Sequence, residues 1–111
     1  MSALKFRDRI RIEAPPEIDP DTGKPAGGWT LVAEVGAKIE DARPGNTDAT
    51  QQGLRLAHDS ATVWIRYRDG ITSDMRIVEL TKRRRTLSIT GGPASILGGR
   101  ELEFTVEKFS S

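Results

Sequence analysis

The chain has 111 residues, 36% of them hydrophobic and 30% charged, with a formal net charge of +1. A chain of that length buries roughly 65% of its unfolded surface, enough for one domain around one core, and its net charge is too small to imply a nucleic-acid partner by itself. It has no cysteine, which excludes disulfides, thiolate zinc sites and a cysteine nucleophile, and no apolar run approaches the roughly 18 residues of a membrane-spanning helix. Lys5, Arg7, Asp8 and Arg9 interrupt the N-terminal stretch, so no secretory signal is predicted.

Apolar residues recur at every second position, as in strands. Over residues 6–14, Phe6, Asp8, Ile10, Ile12 and Ala14 share an inner face, and Arg7, Arg9, Arg11 and Glu13 an outer one. Asp8 is the single polar member of the inner set, which places it at a barrel rim. Pro15-Pro16 ends the strand, because proline offers no N–H to a ladder. Residues 17–28 read as a polar loop turning at Asp19-Pro20-Asp21-Thr22-Gly23, with Gly23 at positive φ. That turn lacks the alternating ligands and terminal glutamate of an EF-hand calcium loop, so no metal site is predicted. A second strand over residues 29–39 turns Trp29, Leu31, Ala33, Val35, Ala37 and Ile39 inward, with Gly36 marking a bulge or a bend.

Residues 41–59 break the pattern. Arg43-Pro44-Gly45-Asn46 is a turn signal, Thr47-Asp48 a possible helix cap weakened by Gly53, and apolar content is low. A polar connection of this length in a small domain tends to be functional or disordered, and it reads as a mobile extension that orders against neighbours. A third strand, residues 61–68, alternates Ala61, Val63, Ile65 and Tyr67 inward with Thr62, Trp64, Arg66 and Arg68 outward. Trp64 beside arginines is typical of an interface, unless the long loop covers it. Asp69-Gly70 then turns a hairpin into a fourth strand over residues 75–80, with Met75 and Ile77 inward. Residues 86–90 form a fifth, and residues 100–109 a sixth with Leu102, Phe104 and Val106 inward. Between them, Gly91-Gly92-Pro93 and Gly98-Gly99 bracket a flexible connection. The prediction is an all-β fold: a small six-stranded β-barrel, closed or nearly so, with a long loop between strands two and three.

Little in the chain points to catalysis. The single histidine, His58, lies in the polar loop beside Asp59, without a nucleophile motif or a second histidine for zinc. Neither glycine cluster continues into the Lys-Ser/Thr of a phosphate loop. No enzyme activity, cofactor or metal is predicted. Charge is uneven, however. Between residues 66 and 85, seven basic residues (Arg66, Arg68, Arg76, Lys82, Arg83, Arg84, Arg85) face three acidic ones (Asp69, Asp74, Glu79). Such a run is either a solvated strand edge or a surface meeting DNA or an acidic partner ring.

The run Ile65-Arg66-Tyr67-Arg68-Asp69-Gly70-Ile71-Thr72-Ser73-Asp74-Met75-Arg76 resembles the signature hairpin of the phage head–tail joining, or head closure (stopper), family. The strand Phe6-Arg7-Asp8-Arg9-Ile10-Arg11-Ile12, the Gly27-Gly28-Trp29 step and Val35-Gly36-Ala37-Lys38-Ile39 extend the resemblance across residues 4–108. Leu87-Ser88-Ile89, the basic run at 82–85 and the glycine-rich 91–99 stretch depart from the family pattern. The resemblance implies a structural protein of the virion neck, assembled in the host cytoplasm as a homo-oligomeric ring, typically dodecameric. That ring would sit below the portal or adaptor protein ring, close the DNA-filled head and dock a tail terminator or tail protein. Packaged double-stranded DNA would pass through its channel, with no membrane partner. The resemblance further implies that the long loop gates the channel, through Asp41, Arg43, Asp48, Gln51, Gln52, Arg55, His58 and Asp59. Trp64, Arg66, Arg68, Gly70, Arg76, Arg83, Arg84 and Arg85 are the expected ring or partner interface. Gene transfer agents use equivalent neck proteins, so the particle is either a phage or a gene transfer agent. Two alternatives stay open: another neck or tail ring such as a tail terminator, and a small nucleic-acid-binding barrel using the arginines of residues 66–85. An aromatic content of 5% speaks against the second, because single-strand binders stack bases on several exposed rings.

Overall fold

A computed structural model describes residues 5–42, 60–81 and 83–109. Among the described residues the strands are β1 (Asp8–Ala14), β2 (Glu17–Ile18), β3 (Pro25–Ala26), β4 (Thr30–Asp41), β5 (Ala61–Arg66), β6 (Arg76–Glu79), β7 (Thr86–Ile96) and β8 (Glu101–Lys108). Six of them close into an antiparallel barrel in the order β1-β4-β5-β8-β7-β6, while β2 and β3 form a separate two-stranded ribbon. The predicted six-stranded barrel is therefore the observed fold. Alternation fills its interior: Ile10, Ile12, Val63, Ile65, Ile77, Leu87, Phe104 and Val106 are fully buried. Each such side chain contributes about 1.5–3 kcal/mol relative to exposure.

The tertiary arrangement departs from the expected local structure at five places. The 65–78 segment is not a hairpin. β5 pairs with β4 and β8, β6 pairs with β1 and β7, and residues 67–75 cross between them. Both ladder edges of β5 are occupied, so none is left for β6. Tyr67, expected inward, is 48% exposed, because β5 stops at Arg66; buried Ile71 supplies apolar surface from the connection instead.

The second departure is a bulge. Ile12 pairs with Ala33 but Glu13 pairs with Leu31, so Val32 is the extra residue. Val32 packs against the core and Leu31 is exposed rather than inward. The bulge therefore lies at Val32 and not at Gly36, where a Cβ would lie 2.9 Å from the Phe6 carbonyl oxygen.

Third, the predicted polar loop at 17–28 contains the β2–β3 ribbon, with Gly23 at φ 70° as the turn requires. Fourth, the predicted flexible connection at 91–97 is mostly strand. β7 continues to Ile96 against β8 through register shifts between Ile89 and Ala94. Glycine makes that possible at position 92, where φ is 87° and a Cβ would lie 2.6 Å from the Glu103 carbonyl oxygen. Fifth, β4 runs on to Asp41, so the long loop begins later than expected.

Candidate functional site

Pairing within the barrel determines which polar side chains are used up and which remain available. Buried Asp8, Glu13, Glu79 and Glu101 each lie on a barrel strand, and each has a polar partner, as burial of a carboxylate demands. Thr81 Oγ1 donates to Asp8 at 3.3 Å, and Lys5 Nζ lies 2.7 Å from Glu101.

Glu79 follows Ile77 on the inner face of β6 and is 1% exposed. Arg85, just before β7, donates from Nε to Glu79 Oε1 at 2.7 Å and from Nη2 to Oε2 at 3.0 Å. The Arg85 backbone N–H donates to the same carboxylate at 3.0 Å, and Nη2 also reaches Asp41 Oδ1 at 2.7 Å. Hydrogen bonding to Glu79 drives the guanidinium pKa further above its already high value, against the opposing effect of burial; Asp41 and the two negative charges reinforce the rise. One cation thus ties β4, β6 and the start of β7 together at the barrel rim.

A second cluster sits outside the barrel wall. Arg76 Nε donates to Glu13 Oε1 at 2.8 Å. Its guanidinium stacks 4.2 Å from the Trp29 ring centroid and 5.1 Å from that of Phe109. The two rings meet edge-to-face at 5.5 Å, which joins the residue before β4 to the residue after β8. Trp64 is similarly engaged on its own sheet. Its Nε1 donates to Glu103 Oε2 at 2.9 Å, and Lys38 lies 5.1 Å over its ring. Lys38, Trp64 and Glu103 occupy one cross-strand rung.

A cleft of about 350 Å³ opens beside β4, lined by Phe6, Arg9, residues 34–36 and residues 66–68. It exists because β4 pairs with β1 over residues 30–37 but with β5 only over residues 38–41. Along the cleft, β4 has a strand on one side alone among the described residues. Arg9 Nη2 lies 3.3 Å from Glu34 Oε2, and Arg66 stacks 5.6 Å from the Phe6 centroid. The exposed Tyr67 hydroxyl donates to Asp69 Oδ1 at 2.6 Å, which raises the phenol pKa above its ordinary value.

The expected interface residues therefore separate into two groups. Arg66, Arg68 and Gly70 are exposed together at the β5–β6 connection, and Arg83 and Arg84 are exposed in the turn before β7. Arg76 and Arg85 are committed to partners within the chain, so the basic run is not uniformly a solvated edge. Among the expected channel residues, Asp41 lies at the end of β4; Arg43, Asp48, Gln51, Gln52, Arg55, His58 and Asp59 lie outside the described residues, as does Lys82. Sequence reasoning did not single out Phe6, Arg9 and Glu34, which only the fold brings to the cleft. It also passed over Glu79, although two-residue spacing from Ile77 marks that acid as inward-facing.

The sequence matches the family model described as phage head completion protein over residues 1–108. The fold is similar to the solution structure of protein SF1141 from Shigella flexneri 2a, at 28% identity and a TM-score of 0.72, over 97% of this chain and 96% of that one. No curated protein matches the chain.

Proposed function

Because this chain belongs to the phage head completion protein family, a structural component of the virion, we propose that it closes the DNA-filled head as a homo-oligomeric ring below the portal or adaptor. The observation that carries this reading is the family match across the whole barrel. The ring offers its outer surface to a tail terminator or tail protein, and packaged DNA passes through its centre. The loop over residues 41–59, of which 43–59 lie outside the described residues, is the channel gate in this reading. The described residues on either side support such a role: the Ala42 N–H donates to the Ser60 carbonyl at 2.9 Å, so residues 42 and 60 meet at one point on the rim. The Glu79–Arg85–Asp41 network braces that same rim. The nucleic-acid alternative loses two of its arginines, because Arg76 and Arg85 already serve the chain's own carboxylates.

The test mixes the purified protein with DNA-filled, tailless particles from the same source. Capture in multiple copies with retention of DNA is expected. A protein that ignored the particles yet bound free DNA in a salt-sensitive way would replace this reading with that of a small nucleic-acid barrel.

A further inference from the structure

A ring requires a head-to-tail contact, in which one surface of each subunit meets a different surface of the next. We propose that this contact is made by the β2–β3 ribbon of one copy seated in the β4-side cleft of its neighbour. This inference rests on the ring assembly proposed above and names the surfaces that make it.

The ribbon is a finger formed between β1 and β4, and no barrel strand pairs with it. Residues 17–24 carry Glu17, Asp19 and Asp21 against Lys24, a net charge of −2. At its base Ile18, a large apolar side chain, is 59% exposed. The cleft has the opposite character: Arg9, Arg66 and Arg68 against Glu34 give it a net charge of +2. Arg68 has no ion-pair partner among the described residues. Tyr67, half exposed in the cleft wall, offers apolar surface to Ile18.

The backbone supplies a further match. Among the described residues β4 lacks a strand on the cleft side before Lys38, and an extended segment laid there adds main-chain hydrogen bonds to the sheet. Arginines along the open edge discourage neutral or basic strands and admit an acidic one. The ribbon does not line the chain's own cleft, whose walls are Phe6, Arg9 and residues 34–36 and 66–68.

The test exploits the absence of cysteine in the chain. A variant carrying Ile18→Cys and Tyr67→Cys is oxidised in concentrated solution and on tailless particles. The expected product is a ladder of covalent oligomers. Pairing Ile18→Cys with Leu97→Cys, at another exposed apolar position, should give no ladder. Adding Glu17→Lys and Asp21→Lys to the first pair should slow laddering by about tenfold, and adding Arg66→Glu and Arg68→Glu as well should restore it. A ladder that is absent, or equal for both cysteine pairs, would overturn the proposal. So would salt-sensitive binding of a short DNA duplex that needs Arg66 and Arg68 and occurs without any ladder. Particle capture of the wild-type protein is read separately. Capture without a ladder removes this contact and leaves head completion standing, whereas a ladder without capture does the reverse.

Discussion

Replacing Arg85 with methionine tests how the barrel rim is held. Glu79 is 1% exposed, and its nearest cation is Arg85, whose side chain is itself only 9% exposed. Methionine fills much the same volume but removes the cation, leaving the buried carboxylate the backbone N–H of residue 85 in place of a charged partner. Breaking a buried pair from one side costs about 3–5 kcal/mol, a large part of the ~5–15 kcal/mol expected for a domain of this size. The other partner, Asp41, is 40% exposed and regains water at little cost. Urea unfolding followed by tryptophan fluorescence should therefore show a lower midpoint at unchanged slope, with Tm down by roughly 15 °C. The double variant Glu79→Leu/Arg85→Met removes both charges and should return to within about 2 kcal/mol of wild type. Arg85→Met within 1 kcal/mol of wild type, or a double variant no better than the single one, would refute the argument that an uncompensated buried charge sets the cost.

Arg76→Lys should destabilise the protein by about 1–3 kcal/mol in the same assay and alter tryptophan emission, because a compact ammonium cannot both bond Glu13 and reach the Trp29 and Phe109 rings as the broad guanidinium does. Gly92→Ala should cost more than Gly98→Ala, about 3 kcal/mol or more against about 1–2. Both sites have positive φ, but a Cβ at position 92 collides with Glu103 O at 2.6 Å while that at position 98 meets open space. The single tyrosine permits a clean ultraviolet titration. Its hydrogen bond to Asp69 should place the phenol midpoint above 10, and Asp69→Asn should lower it. Since the folded pKa is raised, any stability from this bond is present below the unfolded pKa and disappears as pH rises through the folded one.

Period-two alternation is a local property, and it made the barrel strands legible wherever one face meets the core. Ile10, Ile12, Val63, Ile65, Leu102, Phe104 and Val106 lie where their spacing puts them. Turn chemistry was legible for the same reason: Gly23 takes the positive φ that its turn demands. Charge was less informative, because a run of basic residues does not say which of them meet carboxylates from elsewhere in the chain. Arg66 and Arg68 remain on the surface, while Arg76 and Arg85 are claimed by Glu13 and Glu79.

Sequence by itself thus determined the all-β class, most of the core and the family resemblance, since each rests on residues a few positions apart. Tertiary structure decided the rest. Closure into the order β1-β4-β5-β8-β7-β6 used both edges of β5 and so turned an apparent hairpin into a crossing. The extra residue at Val32 turned Leu31 outward, and glycine at position 92 let β7 follow β8 where a flexible connection was expected. The cleft arose because the second ladder of β4 begins only at Lys38, a matter of register between strands. Register depends on how all six strands close together, and no local pattern encodes it.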